Sequence, residues 1–192
     1  MDQWAAVIMA AGRGSRMQSN VPKVLHTVCG KEMILYSIER LSDAGITSLI
    51  VVVSESNYEP IKNVVGDGVE YVVQSDSKGT GGAVQTVLGG MESGVEHVLV
   101  HGADMPLVSE QSLRSLILSH TNDNHQITLL TSEIINSTDL GRILRNDQGD
   151  ILSIREASEI VDENNTSREV NLGAYCFDRN FLQASLGQLS IR

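Results

Sequence analysis

Met9-Ala10-Ala11-Gly12-Arg13-Gly14-Ser15-Arg16-Met17 continues the short apolar run Trp4–Met9 and is followed by Pro22-Lys23. A buried strand that opens into glycines lets backbone N–H groups turn inward and bond phosphate oxygens. Arg16 and Lys23 then stand ready to neutralise those phosphates. A dinucleotide-binding loop needs a third glycine three residues after Gly14, where Met17 stands, and a P-loop needs Gly-Lys-Ser/Thr, which is absent. A glycine loop with two cations fits a free triphosphate better than NAD. On the loop alone, a plain βα turn with Arg13, Arg16 and Lys23 as solvated charges fits equally well.

Outward from the loop, strands and helices alternate. Met33–Ala44 carries apolar residues at helical spacing, with Gly45 as its stop. Leu49–Val53 is almost purely β-branched, as expected of a strand buried on both faces. Asn57–Val65 reads as a helix capped by Asn57, Val69–Gln74 as a strand and Gly81–Met91 as a helix of small residues. Val98–His101 is a strand leading to Asp104, and Ser109–His120 a helix with Ser109 as N-cap. Ile127–Thr131 is a further strand. This order implies a Rossmann-like α/β fold with a mostly parallel sheet flanked by helices. The pattern then changes. Arg142–Arg145 and Asp150–Arg155 read as a hairpin around Asn146–Gly149, Asp162–Arg168 as a loop, Val170–Phe177 as a strand and Asn180–Leu186 as the start of a helix. The hairpin reads as an insertion or lid beside the sheet. The expectation is one nucleotidyltransferase domain over residues 1–192, cut before its natural end.

The 192 residues carry a formal net charge of -10, which argues against non-specific nucleic-acid binding. It also makes the local cluster of cations informative. No run approaches the roughly 20 apolar residues of a membrane span, and no signal peptide is visible. Cys29 and Cys176 share no metal-ligand spacing and suggest a reducing compartment, hence the cytoplasm. The five histidines form no convincing metal set. His97 and His101 read as ordinary strand residues.

Ala10-Ala11-Gly12-x-Gly14-x-Arg16-Met17, then Pro22-Lys23-Val24-Leu25-His26 and Gly30-Lys31, resembles the N-terminal signature of the sugar-nucleotide pyrophosphorylases. The match is to the branch of uridyltransferase domains found in bacterial bifunctional N-acetylglucosamine-1-phosphate uridyltransferase/glucosamine-1-phosphate acetyltransferases. It continues through Gln74, Gly79-Thr80-Gly81-x-Ala83, Asp104-x-Pro106-Leu107, Gly141-Arg142-Ile143, Glu156 and Asn171-x-Gly173, in the family's order from about residue 5 to 177.

The resemblance implies Mg²⁺-dependent transfer of a uridylyl group from UTP to N-acetylglucosamine 1-phosphate. UDP-N-acetylglucosamine, a precursor of bacterial cell-wall and lipopolysaccharide sugars, and pyrophosphate would be the products. Arg16 and Lys23 would be the catalytic cations. Met9, Ala10, Ala11, Gly12, Gly14, Lys23, Gln74, Gly79, Thr80, Gly102 and Asp104 would hold the nucleotide. Gln74 and the backbone at Met9–Ala11 and Gly79–Thr80 would meet uracil. Asp104 would bind the metal; by position alone it reads equally as the cap of a helix or turn. Gly141, Glu156 and Asn171 would bind the acetamido sugar. An acetyltransferase domain and a second metal-binding asparagine would follow in a longer chain. The chain departs from the pattern at Ala103, where the family has glycine, at Gly82 for histidine, at Leu172 for threonine and at Gly102, where an aromatic is common. Two alternatives stay open: a related transferase with another base or acceptor, and a nucleotide-binding regulatory domain without turnover.

Overall fold

The apolar run after the N-terminus forms the central strand β1 (Trp4–Met9), whose residues Trp4 to Ile8 are all buried. The computed structural model describes residues 2–12, 14, 17–74, 79–134, 140–156, 159 and 167–188. Pairs of very short strands, β2 (Thr27–Val28) and β3 (Lys31–Glu32), form a hairpin. Its turn residues Cys29 and Gly30 both have positive φ, 51° and 82°, as a two-residue turn matched to strand twist requires. Then come α1 (Met33–Asp43), β4 (Ser48–Ser54), α2 (Tyr58–Val65), β5 (Glu70–Gln74), α3 (Gly79–Gly90), β6 (His97–Gly102), α4 (Glu110–Asn122) and β7 (Ile127–Glu133). The chain ends through β8 (Arg142–Arg145), β9 (Ile151–Arg155), β10 (Glu169–Asp178) and α5 (Arg179–Leu186).

The chain divides into two units: Met1–Thr128 with Tyr175–Arg192, and Leu129–Ala174. In the first, β1 lies between β4 and β6, parallel to both, with Val7 opposite Ile50 on one side and Val100 on the other. β5 extends the parallel set beyond β4, and β10 follows β6. One face of the sheet (Ala5, Val7, Ile50, Val52, Val98, Val100) packs with Ala83, Val84, Val87 and Leu88 of α3 and Leu182 of α5. The alternation of a strand sends Ala6, Ile8 and Leu99 to the opposite face, where α1 packs on β1 and on α4. The α3 helix is rich in glycine and small residues, so tertiary packing rather than propensity holds it.

Two helix ends follow the expected chemistry. Ser112 N–H donates to the Ser109 hydroxyl at 3.1 Å, capping α4, and Gly45, with φ 98°, ends α1. The second unit holds β8 and β9 as an antiparallel hairpin, with Arg142 opposite Arg155, and β8 pairs antiparallel with β10. This is the expected hairpin insertion. The polar stretch 162–168 lies outside the described residues except Ser167 and Arg168.

Candidate nucleotide site

The strand order reverses at β1. Its first crossover leads to β4 on one side, while β6 returns to the other. Loops after the carboxyl ends of β1 and β6 therefore diverge over a crevice, the place where open α/β sheets bind ligands. Both candidate loops leave from there.

The loop after β1 begins from a fixed exit. Ala10 N–H donates to Val52 O at 2.9 Å, and Met9 O accepts from Ala103 N at 3.1 Å, so neighbouring strands hold it on both sides. Gly12 is exposed, and a Cβ there would meet nothing within 4 Å. Gly14 is the opposite case. Its φ is +57°, and a Cβ would stand 2.6 Å from Lys23 Cβ. Glycine is needed at 14 because the loop backbone closes directly on the lysine. Lys23 itself opens a single 3-10 turn, Lys23–Leu25, which Leu25 N–H closes on Pro22 O at 2.9 Å.

The loop after β6 brings Asp104 to the same place. Its Oδ2 lies 2.6 Å from Lys23 Nζ. Asp104 caps no helix: the next one starts at Glu110 and is capped by Ser109. Gly102 stands against the carboxylate, since a Cβ there would lie 2.8 Å from Asp104 Oδ1. With Lys23 and Asp104 41% and 35% exposed, the pair is screened, and such a pair is worth about 0–1 kcal/mol. A charge-assisted contact to phosphate is worth about 1.5–3 kcal/mol. A phosphate can therefore take the lysine from the aspartate.

Gln74 ends β5, and its Nε2 donates to Gly79 O at 3.1 Å, where α3 begins. The backbone of Thr80 lies in the first turn of α3. Arg16 lies outside the described residues, as do Arg13 and Ser15.

Within the second unit, the three proposed sugar residues meet at one end of the antiparallel ladder. Asn171 N–H donates to Gly141 O at 2.9 Å. The register of Arg142 with Arg155 sets Gly141 beside Glu156. Asn171 Oδ1 accepts from Gly173 N at 3.0 Å. Gly141 is buried and close to Ile154 Cγ2 at 3.2 Å and Arg155 O at 3.3 Å from a Cβ position, whereas Glu156 is exposed.

Residues 6–137, which include the β1 loop, Lys23, Gln74 and Asp104, match the model of the MobA-like NTP transferase domain. The chain belongs to this family. Among curated relatives, the NTP transferase domain is 38% identical over 186 residues to the bifunctional protein GlmU of Exiguobacterium sibiricum, covering 96% of this chain and 41% of that protein. It is 37% identical over 190 residues to the bifunctional protein GlmU of Heliobacterium modesticaldum, covering 99% and 41%. The chain thus spans about two fifths of the length of these relatives. A crystal structure of a Bacillus anthracis protein assigned as a glucose-1-phosphate thymidylyltransferase, in complex with a sucrose, superposes with a TM-score of 0.77. At 18% identity it covers 98% of this chain and 79% of that one, and it establishes the shared fold.

Two residues of the NTP transferase domain matter at the site in ways the sequence did not mark. Asn57 holds the N-cap position of α2, but its side chain does not cap the helix. Instead Nδ2 donates to Ala10 O at 2.9 Å and Oδ1 accepts from Ser54 N at 2.8 Å. His101, read as an ordinary strand residue, is buried beside the site. Burial pushes its imidazole down to about 4, against the opposing pull of Asp104, so it is neutral at physiological pH. The Asn57 contact to Ala10, 47 residues away, has no local sequence cue. The burial of His101 has none either. Among the described residues no helix is long and apolar enough to cross a membrane.

Proposed function

We propose that this NTP transferase domain transfers a uridylyl group from UTP to N-acetylglucosamine 1-phosphate, giving UDP-N-acetylglucosamine and pyrophosphate. The observation that carries the reading is the meeting of Lys23 and Asp104 over the crevice beside the glycine loop. The ordered motifs from Ala10 to Gly173 support the choice of base and acceptor.

The acceptor is already an anion at neutral pH, so alignment and charge neutralisation suffice. A phosphate oxygen of the sugar 1-phosphate attacks the α-phosphorus in line. The bond from that phosphorus to the oxygen bridging to the β-phosphate breaks, and pyrophosphate leaves with those electrons. Lys23 leaves Asp104 for the phosphates and offsets their charge, and the loop amides from Gly12 to Gly14 bond their oxygens. Arg16 adds the second cation of the reading. Gln74 reads the base edge, and Gly141, Glu156 and Asn171 take the acetamido sugar.

The proposed cofactor is Mg²⁺ on Asp104. The donor set fits it. Asp104 already accepts a cation, the Lys23 ammonium. One carboxylate completed by water and phosphate oxygens is how Mg²⁺ is held at triphosphate sites. Bound there, the ion supplies further neutralisation of the phosphates. A cytoplasmic setting and a following acetyltransferase domain belong to the same reading. The test is a panel of four nucleoside triphosphates with N-acetylglucosamine 1-phosphate, scored by pyrophosphate release. UTP is expected to lead. Preference for another triphosphate would transfer the reading to a different base, and triphosphate binding without release would make the domain regulatory.

A further inference from the structure

We propose that Asn57 is a positioning residue for the nucleotide loop: its side-chain amide fixes the Ala10–Ala11 peptide so that the Ala11 N–H faces the bound nucleotide. The inference rests on the nucleotidyltransferase reading above. Ala10 lies one residue beyond β1, where the ladder to β4 has ended at the Met9–Val52 pair. Its carbonyl is buried with it, at 1% residue exposure, and needs a partner from outside the ladder. Asn57, itself only 6% exposed, supplies one through Nδ2 at 2.9 Å. The side chain cannot swing away, because Oδ1 is held by Ser54 N–H at 2.8 Å.

The consequence follows from peptide geometry. In a trans peptide the carbonyl and the next N–H point in opposite directions. Met9 O accepts from Ala103 on the β6 side, and the Ala10 N–H and carbonyl both turn to the β4 side. The Ala11 N–H is thereby aimed back to the β6 side, where Lys23 and Asp104 meet. Asn57 touches no reacting atom. It sets the direction of the first loop amide available to the nucleotide, and it does so from the turn before α2.

Asn57→Asp tests this, because the variant keeps an acceptor for Ser54 N–H and sets a charged oxygen, which cannot donate, against Ala10 O. Steady-state kinetics are expected to show the triphosphate KM raised about tenfold, the worth of one misdirected hydrogen bond. The sugar 1-phosphate KM and kcat should stay within about twofold. Relative to the unsubstituted protein at the same pH, acidification should restore the triphosphate KM, since a protonated carboxyl can donate to Ala10 O again. Asn57→Ser, a smaller change in buried charge, should show the same rise without that recovery. A purely structural role would leave the triphosphate KM unchanged in both variants while kcat fell with the folded fraction, and that result overturns the inference. If the unsubstituted protein turns nothing over, the transferase reading fails but this inference is still decided by calorimetry. A triphosphate Kd about tenfold weaker in the variants supports it, and an equal Kd overturns it.

Discussion

Lys23 and Asp104, 81 residues apart in the chain, hold each other at 2.6 Å over the carboxyl ends of β1 and β6. The cation assigned to phosphate and the anion assigned to metal are therefore mutual partners in the free protein. In the proposed reaction, binding would exchange one half-exposed ion pair for a contact from Lys23 to phosphate and one from Asp104 to metal. Removing Asp104 separates the two roles. Asp104→Asn should abolish most Mg²⁺-dependent turnover while leaving the fold intact. In the absence of metal it should tighten triphosphate binding by up to about fivefold, since it frees Lys23 from a surface pair and removes a nearby negative charge. Calorimetry with and without Mg²⁺ measures both. Unchanged metal-dependent turnover would leave Asp104 no metal role.

Lys23→Ala should weaken triphosphate binding by about 1.5–3 kcal/mol, tenfold or more. The thermal melt should move little, because loss of an exposed lysine changes stability by under roughly 0.5 kcal/mol. Equal affinity for the triphosphate and the sugar 1-phosphate in variant and wild type would remove the lysine from the site.

The two loop glycines should respond differently to the same change. Gly14→Ala places a methyl group 2.6 Å from Lys23 Cβ in a backbone with φ +57°. Left-handed strain alone costs roughly 1–2 kcal/mol, and the overlap must also push the Lys23 turn away. A lower melting temperature and weaker triphosphate binding are expected together. Gly12→Ala meets no protein atom and should melt as wild type. Any loss of affinity there would come from a methyl group facing the ligand. Equal melts for the two variants would mean that Gly14 does not pack on Lys23 as described.

His101 should shape the acid limb of stability. Burial lowers its folded-state value from 6.5 to about 4, with Asp104 pulling the other way. Between those values the unfolded chain takes up a proton that the folded chain refuses. Its contribution is therefore complete above the unfolded value and is lost as pH falls toward 4. The full difference is roughly 3 kcal/mol. His101→Leu should flatten denaturant-measured stability over this window relative to wild type. Some slope should remain, because burial, followed by His97, also lowers His120. Identical pH slopes in both proteins would contradict the assignment.

The central sheet could be read from the sequence because its strands are continuous apolar runs that only a doubly covered sheet accommodates. The loop glycines were legible as candidate phosphate ligands, but the packing of Gly14 on Lys23 was not. That contact depends on how the chain returns from Met17 to Pro22. Asn57 was placed correctly at the head of α2, yet its side chain serves Ala10, 47 residues away. A short amide bonds whichever backbone group lies nearest, and only the adjacency of β1 and β4 makes that group Ala10. His97 and His101 were read as ordinary strand residues, because the sequence could not tell that β6 is an interior strand. His97 stacks on Trp4 at 4.8 Å between ring centroids, while His101 is sealed in the core. The Cys29-Gly30 hairpin was missed because strands of two residues carry no alternation. The union of Gly141, Glu156 and Asn171 came from motif resemblance alone, since it depends on an antiparallel register that sequence spacing does not encode.

The most direct test of the account is phosphorus NMR of the protein with UTP, N-acetylglucosamine 1-phosphate and Mg²⁺. Pyrophosphate and UDP-N-acetylglucosamine signals are expected to grow equally as UTP and the sugar 1-phosphate disappear together. The signals are expected to stay flat when Asp104→Asn replaces the wild type. UTP that stays intact, or that breaks down without the sugar 1-phosphate being consumed, would contradict the proposed transfer.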